Sequence, residues 1–226
     1  DVGANLGQTL LAVKAIDRQR EYLGFEPNPS CNFYLEQLIR LNGLEQVSVV
    51  PVALADESCV MQLDRYSDDP GDSSASIVPA FRDESKIKSS LFVPAFRFDD
   101  LRISNTRSSI GIVKIDVEGA ESVVLSSLNT VIKRDRPLIV MEVLPVYSDE
   151  NQERLVRQQS IERMLTSWNY KLYRIAKHDD GSLAGLVPIK SFGIHSNIDH
   201  CDYLAIGSER SGEIDERFEL LIDRGD

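Results

Sequence analysis

A glycine turn and an acidic residue, about twenty positions apart, open this chain and constrain its fold. Asp1-Val2-Gly3-Ala4-Asn5-Leu6-Gly7 supplies the turn, and Gly24-Phe25-Glu26-Pro27-Asn28-Pro29 supplies a carboxylate at the end of a short apolar run. A strand–turn–helix–strand unit brings two such features to one edge of a parallel sheet. There the glycines admit a ligand close to the backbone, and the carboxylate accepts hydrogen bonds from ribose hydroxyls. This is how an adenine nucleoside is gripped. The turn departs from a three-glycine dinucleotide loop, with Asn5 at the middle position and Gln8 at the third. Asparagine tolerates left-handed backbone angles, so it makes the turn, but its side chain crowds a pyrophosphate. The loop therefore suits a nucleoside without a pyrophosphate better than a dinucleotide. Glu26 is the ribose candidate, and Pro27 and Pro29 stiffen the loop that holds it.

The rest of the chain continues the alternation. Apolar spacing predicts helices over residues 6–18, 30–41, 121–133 and 153–168. Ser30 is the expected cap of the second, and Asn42-Gly43 its stop. Strands are expected over 22–26, 47–53, 111–117, 137–143, 170–175 and 203–206, with 47–53 buried on both faces. The tail, 213–226, reads as a charged helix or a frayed end. Residues 59–98 break the rhythm. They hold candidate strands at 59–63 and 92–98 around a polar loop, Asp68-Asp69-Pro70-Gly71-Asp72-Ser73-Ser74. This reads as an insertion over the mouth of the site. Strands separated by helices imply a parallel α/β sheet covered on both faces, with ligands at the carboxyl ends of the strands. With neither repeats nor a linker, residues 1–226 are expected to form one domain. A turn of this kind follows a central strand, yet Asp1 is the first residue. The first strand is therefore expected to be truncated and the natural chain to extend upstream.

Composition excludes several classes. Apolar residues make up 42% of 226, enough for a full core, and no apolar run reaches the length of a membrane span. A net charge of -11, with basic residues scattered at Arg18, Arg20, Lys86, Lys88, Lys133, Arg134 and Arg136, argues against nucleic acid. Cys31, Cys59 and Cys201 are too widely spaced for a zinc pattern and suit a reducing cytoplasm.

A second chemical motif is Val113-Lys114-Ile115-Asp116-Val117-Glu118-Gly119-Ala120-Glu121. Glu121 suits the positive end of a helix dipole. Asp116 and Glu118 lie on the strand-to-helix turn, where carboxylates bind a cationic centre, orient a hydroxyl or act as a general base. Glu142 ends an apolar strand, where a charge needs a task or a partner. His178, His195 and His200 are alternative bases. No compact ligand spacing supports a metal.

These residues resemble the FkbM-type family of S-adenosylmethionine-dependent methyltransferases. The resemblance rests on Asp1–Thr9, Phe25–Pro29, Val52-Ala53-Leu54, Phe98–Leu101 and Lys114–Glu121, and covers about the first 145 residues. It departs from the family at Phe98, where an aliphatic residue is expected before Asp99. It implies a Rossmann-like methyltransferase fold, a mostly parallel seven-stranded sheet with helices on both faces and a final antiparallel pair. It implies S-adenosyl-L-methionine as cofactor, with Asp1, Gly3, Asn5 and Gly7 around its methionine part, Glu26 at its ribose, Asn28 in the same loop, and Ala53 and Leu54 at its adenine. Asp116 would lie at the junction of donor and acceptor; since methylating a hydroxyl requires a base, Asp116 and Glu118 are the catalytic candidates. The partner implied is a small-molecule acceptor, a sugar, glycolipid or secondary metabolite, methylated on a hydroxyl. The alternatives are a nicotinamide-dependent oxidoreductase and a non-catalytic binding module of the same fold.

Overall fold

The structure, a computed structural model, describes residues 1–79, 81–105 and 109–221. The last five residues of the charged tail therefore lie outside the described residues. The chain divides into two compact units, Asp1–Asn105 and Thr106–Asp226.

The first unit opens with the glycine turn. Val2 makes an isolated parallel bridge to Phe25 of β1 (Tyr22–Phe25), fixed by Phe25 N–H to Asp1 O and Gly3 N–H to Phe25 O. The turn feeds α1 (Gln8–Ile16), which leads to β1, then α2 (Pro29–Leu41) and β2 (Val47–Val50), parallel to β1. This is the strand–helix–strand unit expected from the spacing. Gly7 shows why glycine stands before α1. Its φ is 90°, and an added Cβ would lie 2.8 Å from the side chains of both Leu35 and Leu38. The turn and α2 thus close over Ala4, Leu10, Tyr22 and Leu35, with Val47 and Val49 against them. Lys14 is buried in this unit because its ammonium donates to three carbonyls, those of Arg18, Arg20 and Glu45.

The expected strand over 47–53 is two strands. Pro51 lacks an N–H to continue the ladder, and Val52 N–H turns back to Val50 O. β2 is half-buried rather than buried on both faces. β3 (Ala53–Leu54) leaves β2 to pair in parallel with β5 (Ser89–Phe96), which is antiparallel to β4 (Cys59–Arg65). The strand order is β3-β5-β4. The polar segment between β4 and β5 folds back, with Asp64 and Ser76 exchanging both backbone hydrogen bonds. Phe98, the residue that departs from the family pattern, is buried edge-on against Phe25 with centroids 6.0 Å apart.

The second unit holds β6 (Ile112–Ile115), α3 (Glu121–Ser127), α4 (Asn129–Asp135), β7 (Leu138–Glu142), α5 (Gln152–Ser167), β8 (Tyr170–Lys177), β9 (Leu183–Ile189), β10 (Asp202–Gly207) and α6 (Gly212–Arg217). The single helix expected over 121–133 is interrupted at Leu128, which ends α3 and caps α4. Arg136 closes α4 in a left-handed conformation. Its guanidinium pairs with both oxygens of Glu209, donates to Trp168 O, and lies over the Tyr170 ring.

The sheet order is β6-β7-β10-β8-β9. Only β6 and β7 are parallel; β10 is antiparallel to both β7 and β8, and β9 is antiparallel to β8. The expected α/β class with antiparallel strands at its end is present, while the mostly parallel seven-stranded sheet is not found among the described residues. Instead of one mostly parallel seven-stranded sheet, the described strands form a two-stranded parallel sheet, a three-stranded mixed sheet and a five-stranded mixed sheet. The β8–β9 hairpin adds a further antiparallel strand. Reversal at Gly181, with φ 81°, brings Leu183–Ile189 back beside β8. Pro188 is tolerated there because β9 is at the end of the strand order. The core of this unit includes Tyr173, Leu186, Leu204, Ile206 and Ile214. Among the described residues no helix is long and apolar enough to cross a membrane.

Candidate functional site

In the first unit the donor candidates gather around one carboxylate. Glu26 leaves the end of β1 and is only 6% exposed. Its two oxygens accept backbone N–H bonds from Asn5 and from Asn28, each at 2.8 Å. Asn5 reaches this position with φ 44°, in the left-handed region that asparagine tolerates. Asn28, and not the expected Ser30, caps α2: its Oδ1 accepts from Ser30 N–H, and Pro29 takes the first helical position. Proline there forfeits only an N–H that the helix leaves without a partner, so Asn28-Pro29 is the capping signal the sequence already held.

Both asparagines also reach forward in the chain. Asn28 Nδ2 donates to Pro70 O at 2.9 Å, and Asn5 Nδ2 approaches Gly71 O at 3.4 Å. An added Cβ on Gly71 would meet Leu6 at 3.1 Å. The loop so held is also bonded within itself. Asp72 accepts from Tyr66 N–H, Ser67 N–H, Ser74 N–H and the Ser74 hydroxyl. Burial works to raise the Asp72 pKa, but these hydrogen bonds outweigh it and hold the carboxyl below its usual range. Nothing in the sequence pattern pointed to this docking.

The remaining donor candidates take more structural positions. Asp1 accepts a hydrogen bond from the Tyr22 hydroxyl, whose pKa is raised by burial and then by the charge of Glu26. Gly3 has φ 84° and bonds to Phe25 O. Ala53 and Leu54 are buried in β3, in register with Ala95 and Phe96. Cys31 is pushed up to about 12 by burial, then by the charges of Glu26, Asp69 and Asp72, with Arg65 opposing.

In the second unit the carboxylates cluster at one end of β6, β7 and β10. Ile115 is in register with Met141, so Asp116 and Glu142 are the next residues of neighbouring strands, and Glu142 is in register with Asp202. Charges flank this row. Lys114 pairs with Asp116 at 3.2 Å, and Lys177 pairs with Asp202. Burial raises the Glu142 pKa well above the carboxylate range. A hydrogen bond with Asp116 and the charges of Asp116, Glu118 and Asp202 raise it further. Asp116 is thus a partner for Glu142, which the sequence marked as needing a task or a partner. Glu118 sits in the turn with φ 50°, beside Gly119 at φ 102°. Glu121 is buried under this turn and accepts Gly119 N–H at 2.8 Å. Burial pushes it up to about 7, the Gly119 bond opposes, and the charges of Glu118 and Asp116 add.

The histidines are dispersed in role. His195 is buried with Nε2 3.3 Å from the Tyr203 hydroxyl, and its ring centre lies 6.2 Å from that of His200. Among the described residues no group of three His, Cys, Asp or Glu side chains is placed to hold a metal ion.

The model of the methyltransferase FkbM domain matches residues 1–172. The chain belongs to the FkbM methyltransferase family. The match takes in the glycine turn, Glu26, the polar loop and the Asp116 turn, and it ends within β8. A crystal structure of an FkbM methyltransferase from Methylobacillus flagellatus KT is similar in fold, with a TM-score of 0.53 at 14% identity over 91% of this chain. The chain spans 42% of the length of that FkbM protein. A precorrin-6y C5,15-methyltransferase from Geobacter metallireducens GS-15 aligns with a TM-score of 0.40 and 11% identity, over 91% of this chain and 76% of that one. No curated protein matches. The mixed α/β architecture is thus that of an FkbM methyltransferase.

Proposed function

We propose that this chain is an S-adenosylmethionine-dependent methyltransferase acting on a hydroxyl of a small molecule such as a sugar, glycolipid or secondary metabolite. The observation that carries the reading is Glu26, a buried carboxylate fixed by the backbones of both nucleoside-binding motifs, Asn5 and Asn28. The residues fit an adenosine. A carboxylate oxygen has more than one acceptor position, so an oxygen that takes a backbone N–H also takes a ribose hydroxyl. Ala53 and Leu54, buried in β3, are the residues we assign to the adenine side. Glu26, Asp69 and Asp72 all raise the Cys31 thiol pKa, with Arg65 opposing, and a net anionic surround of this kind favours a sulfonium over the pyrophosphate of a nicotinamide cofactor.

When bound, S-adenosylmethionine supplies an electrophilic methyl group on a sulfonium sulfur. The chain's own work is then to hold the nucleoside, align the acceptor and manage its proton. In our reading Asp1, Gly3 and Gly7 shape the turn around the amino-acid part. Asp116 receives the hydroxyl proton, with Glu142 orienting it through their hydrogen bond and Glu118 adding negative charge. The three cysteines are free thiols, which supports the cytoplasmic location we propose.

Calorimetry with S-adenosylmethionine and S-adenosylhomocysteine tests the reading. Saturable binding of both is expected. Binding of a nicotinamide cofactor, with no response to either at millimolar concentration, would replace it with the oxidoreductase reading.

A further inference from the structure

Glu26, Asn5, Asn28 and the Pro70–Gly71 step form one connected frame. Each asparagine uses its backbone N–H on a Glu26 oxygen and its side-chain amide toward the loop, on successive carbonyls. Asn28 is 2% exposed and uses all its polar groups in this way: N–H to Glu26, Oδ1 to the α2 cap, Nδ2 to Pro70 and the carbonyl to Asn32. Gly71 adds a close approach to Leu6 within the glycine turn. A loop that served only to shape an acceptor pocket has no need of this anchorage. Its attachment runs to the same two residues that fix the ribose carboxylate.

We infer that residues 66–74 form a wall of the nucleoside-binding site, and that Asn28 is the positioning residue that couples this loop to Glu26. The inference rests on the donor reading above and deepens it. The loop that the sequence marks only as an insertion over the mouth of the site belongs to the donor side. A ligand that hydrogen-bonds Glu26 shifts the frame as a unit, because the Glu26 oxygens, the two asparagines and the loop share bonds. Ordering the loop on the ligand then adds to affinity through contacts that the first 30 residues alone do not make.

The test uses the full chain with S-adenosylhomocysteine as the probe, followed by amide hydrogen exchange and calorimetry. In the wild type, the probe is expected to slow exchange across residues 66–74 as well as at the glycine turn. Asn28→Asp keeps the Oδ acceptor for Ser30, and aspartate caps a helix as well as asparagine. It replaces the amide donor with an oxygen facing Pro70 O. Its expected result is faster exchange in 66–74 of the ligand-free protein and about tenfold weaker probe binding, with α2 exchange unchanged. Probe binding by the wild type without protection in 66–74 overturns the loop assignment and leaves the donor reading standing. No probe binding by the wild type overturns both. Loss of α2 protection together with affinity in Asn28→Asp, at unchanged loop exchange, overturns the coupling role of Asn28.

Discussion

Asn5 of the glycine turn and Asn28 of the loop after β1 donate their backbone N–H groups to opposite oxygens of a single carboxylate, that of Glu26. Neither bond uses a side chain, so substitution of either asparagine leaves the grip on Glu26 to the backbone. Changing Glu26 itself does not. In Glu26→Gln one amide N–H faces a backbone N–H and the charge is lost. Binding of S-adenosylhomocysteine, measured by calorimetry, is expected to weaken about tenfold to a hundredfold, the effect of losing a charge-assisted hydrogen bond. Unchanged affinity would remove Glu26 from the ribose site.

Gly7→Ala tests the packing of the glycine turn. The position combines φ 90° with two leucine side chains 2.8 Å from an added Cβ. A loss of about 2 kcal/mol is expected from backbone strain and overpacking together. Urea denaturation reads it as a lower midpoint at constant slope.

Glu121 gives a pH signature. Its folded pKa of about 7 exceeds the ordinary 4.5, so the folded state binds the proton more tightly than the unfolded chain. The contribution is fully present below the unfolded value and is lost as pH rises through the folded one. The stability of the wild type, referred to Glu121→Gln at each pH, should therefore fall by about 1–3 kcal/mol between about pH 5 and pH 8. A difference that is flat with pH would mean that Glu121 is ionised throughout.

The Asp116–Glu142 pair predicts a directional shift. Asp116 raises the Glu142 pKa both by hydrogen bonding and by charge. In Asp116→Asn, Glu142 should titrate at lower pH than in the wild type, though still above the ordinary carboxylate range because burial remains. Carbon-detected magnetic resonance of labelled glutamate carboxyls, assigned with Glu142→Gln, follows it. An unmoved titration would separate the two residues.

Arg136→Lys probes the second unit away from the carboxylates. Lysine cannot reproduce the two-point bond to Glu209 or the stacking on Tyr170. The expected cost is about 1–2 kcal/mol, discounted for the exposure of Glu209, and thermal unfolding measures it.

The sequence made legible what is local. The turn, α1, β1 and Glu26 lie within one short stretch, and glycine spacing with apolar period defines them. Asn28-Pro29 carried a readable cap that a serine obscured. The β9 strand was hidden because Gly185 and Pro188 interrupt its alternation; its terminal place in the strand order admits Pro188, and the Glu219 carbonyl, 2.7 Å from where a Cβ would lie, requires Gly185. The loop anchorage joins residues 42 and 66 positions apart, and no periodicity encodes such a contact. The alignment of Asp116, Glu142 and Asp202 depends on register between strands, of which the last is antiparallel. Sequence alone says only that Glu142 needs a task or a partner; which strands lie beside it, and hence Asp116 and Asp202, follows from register.

The place of β10 has a consequence for how the second unit is made. It lies between β7 and β8, yet it is the last strand of the sheet along the chain. During synthesis β8 and β9 can pair as a local hairpin, while β7 waits with one edge uncovered until residues 202–207 emerge. The sheet therefore closes from its centre once β10 has emerged rather than growing outward from a first hairpin. The wait leaves apolar strand edges open to other chains, so the yield of soluble protein depends on what shields β7 and β8 during that interval.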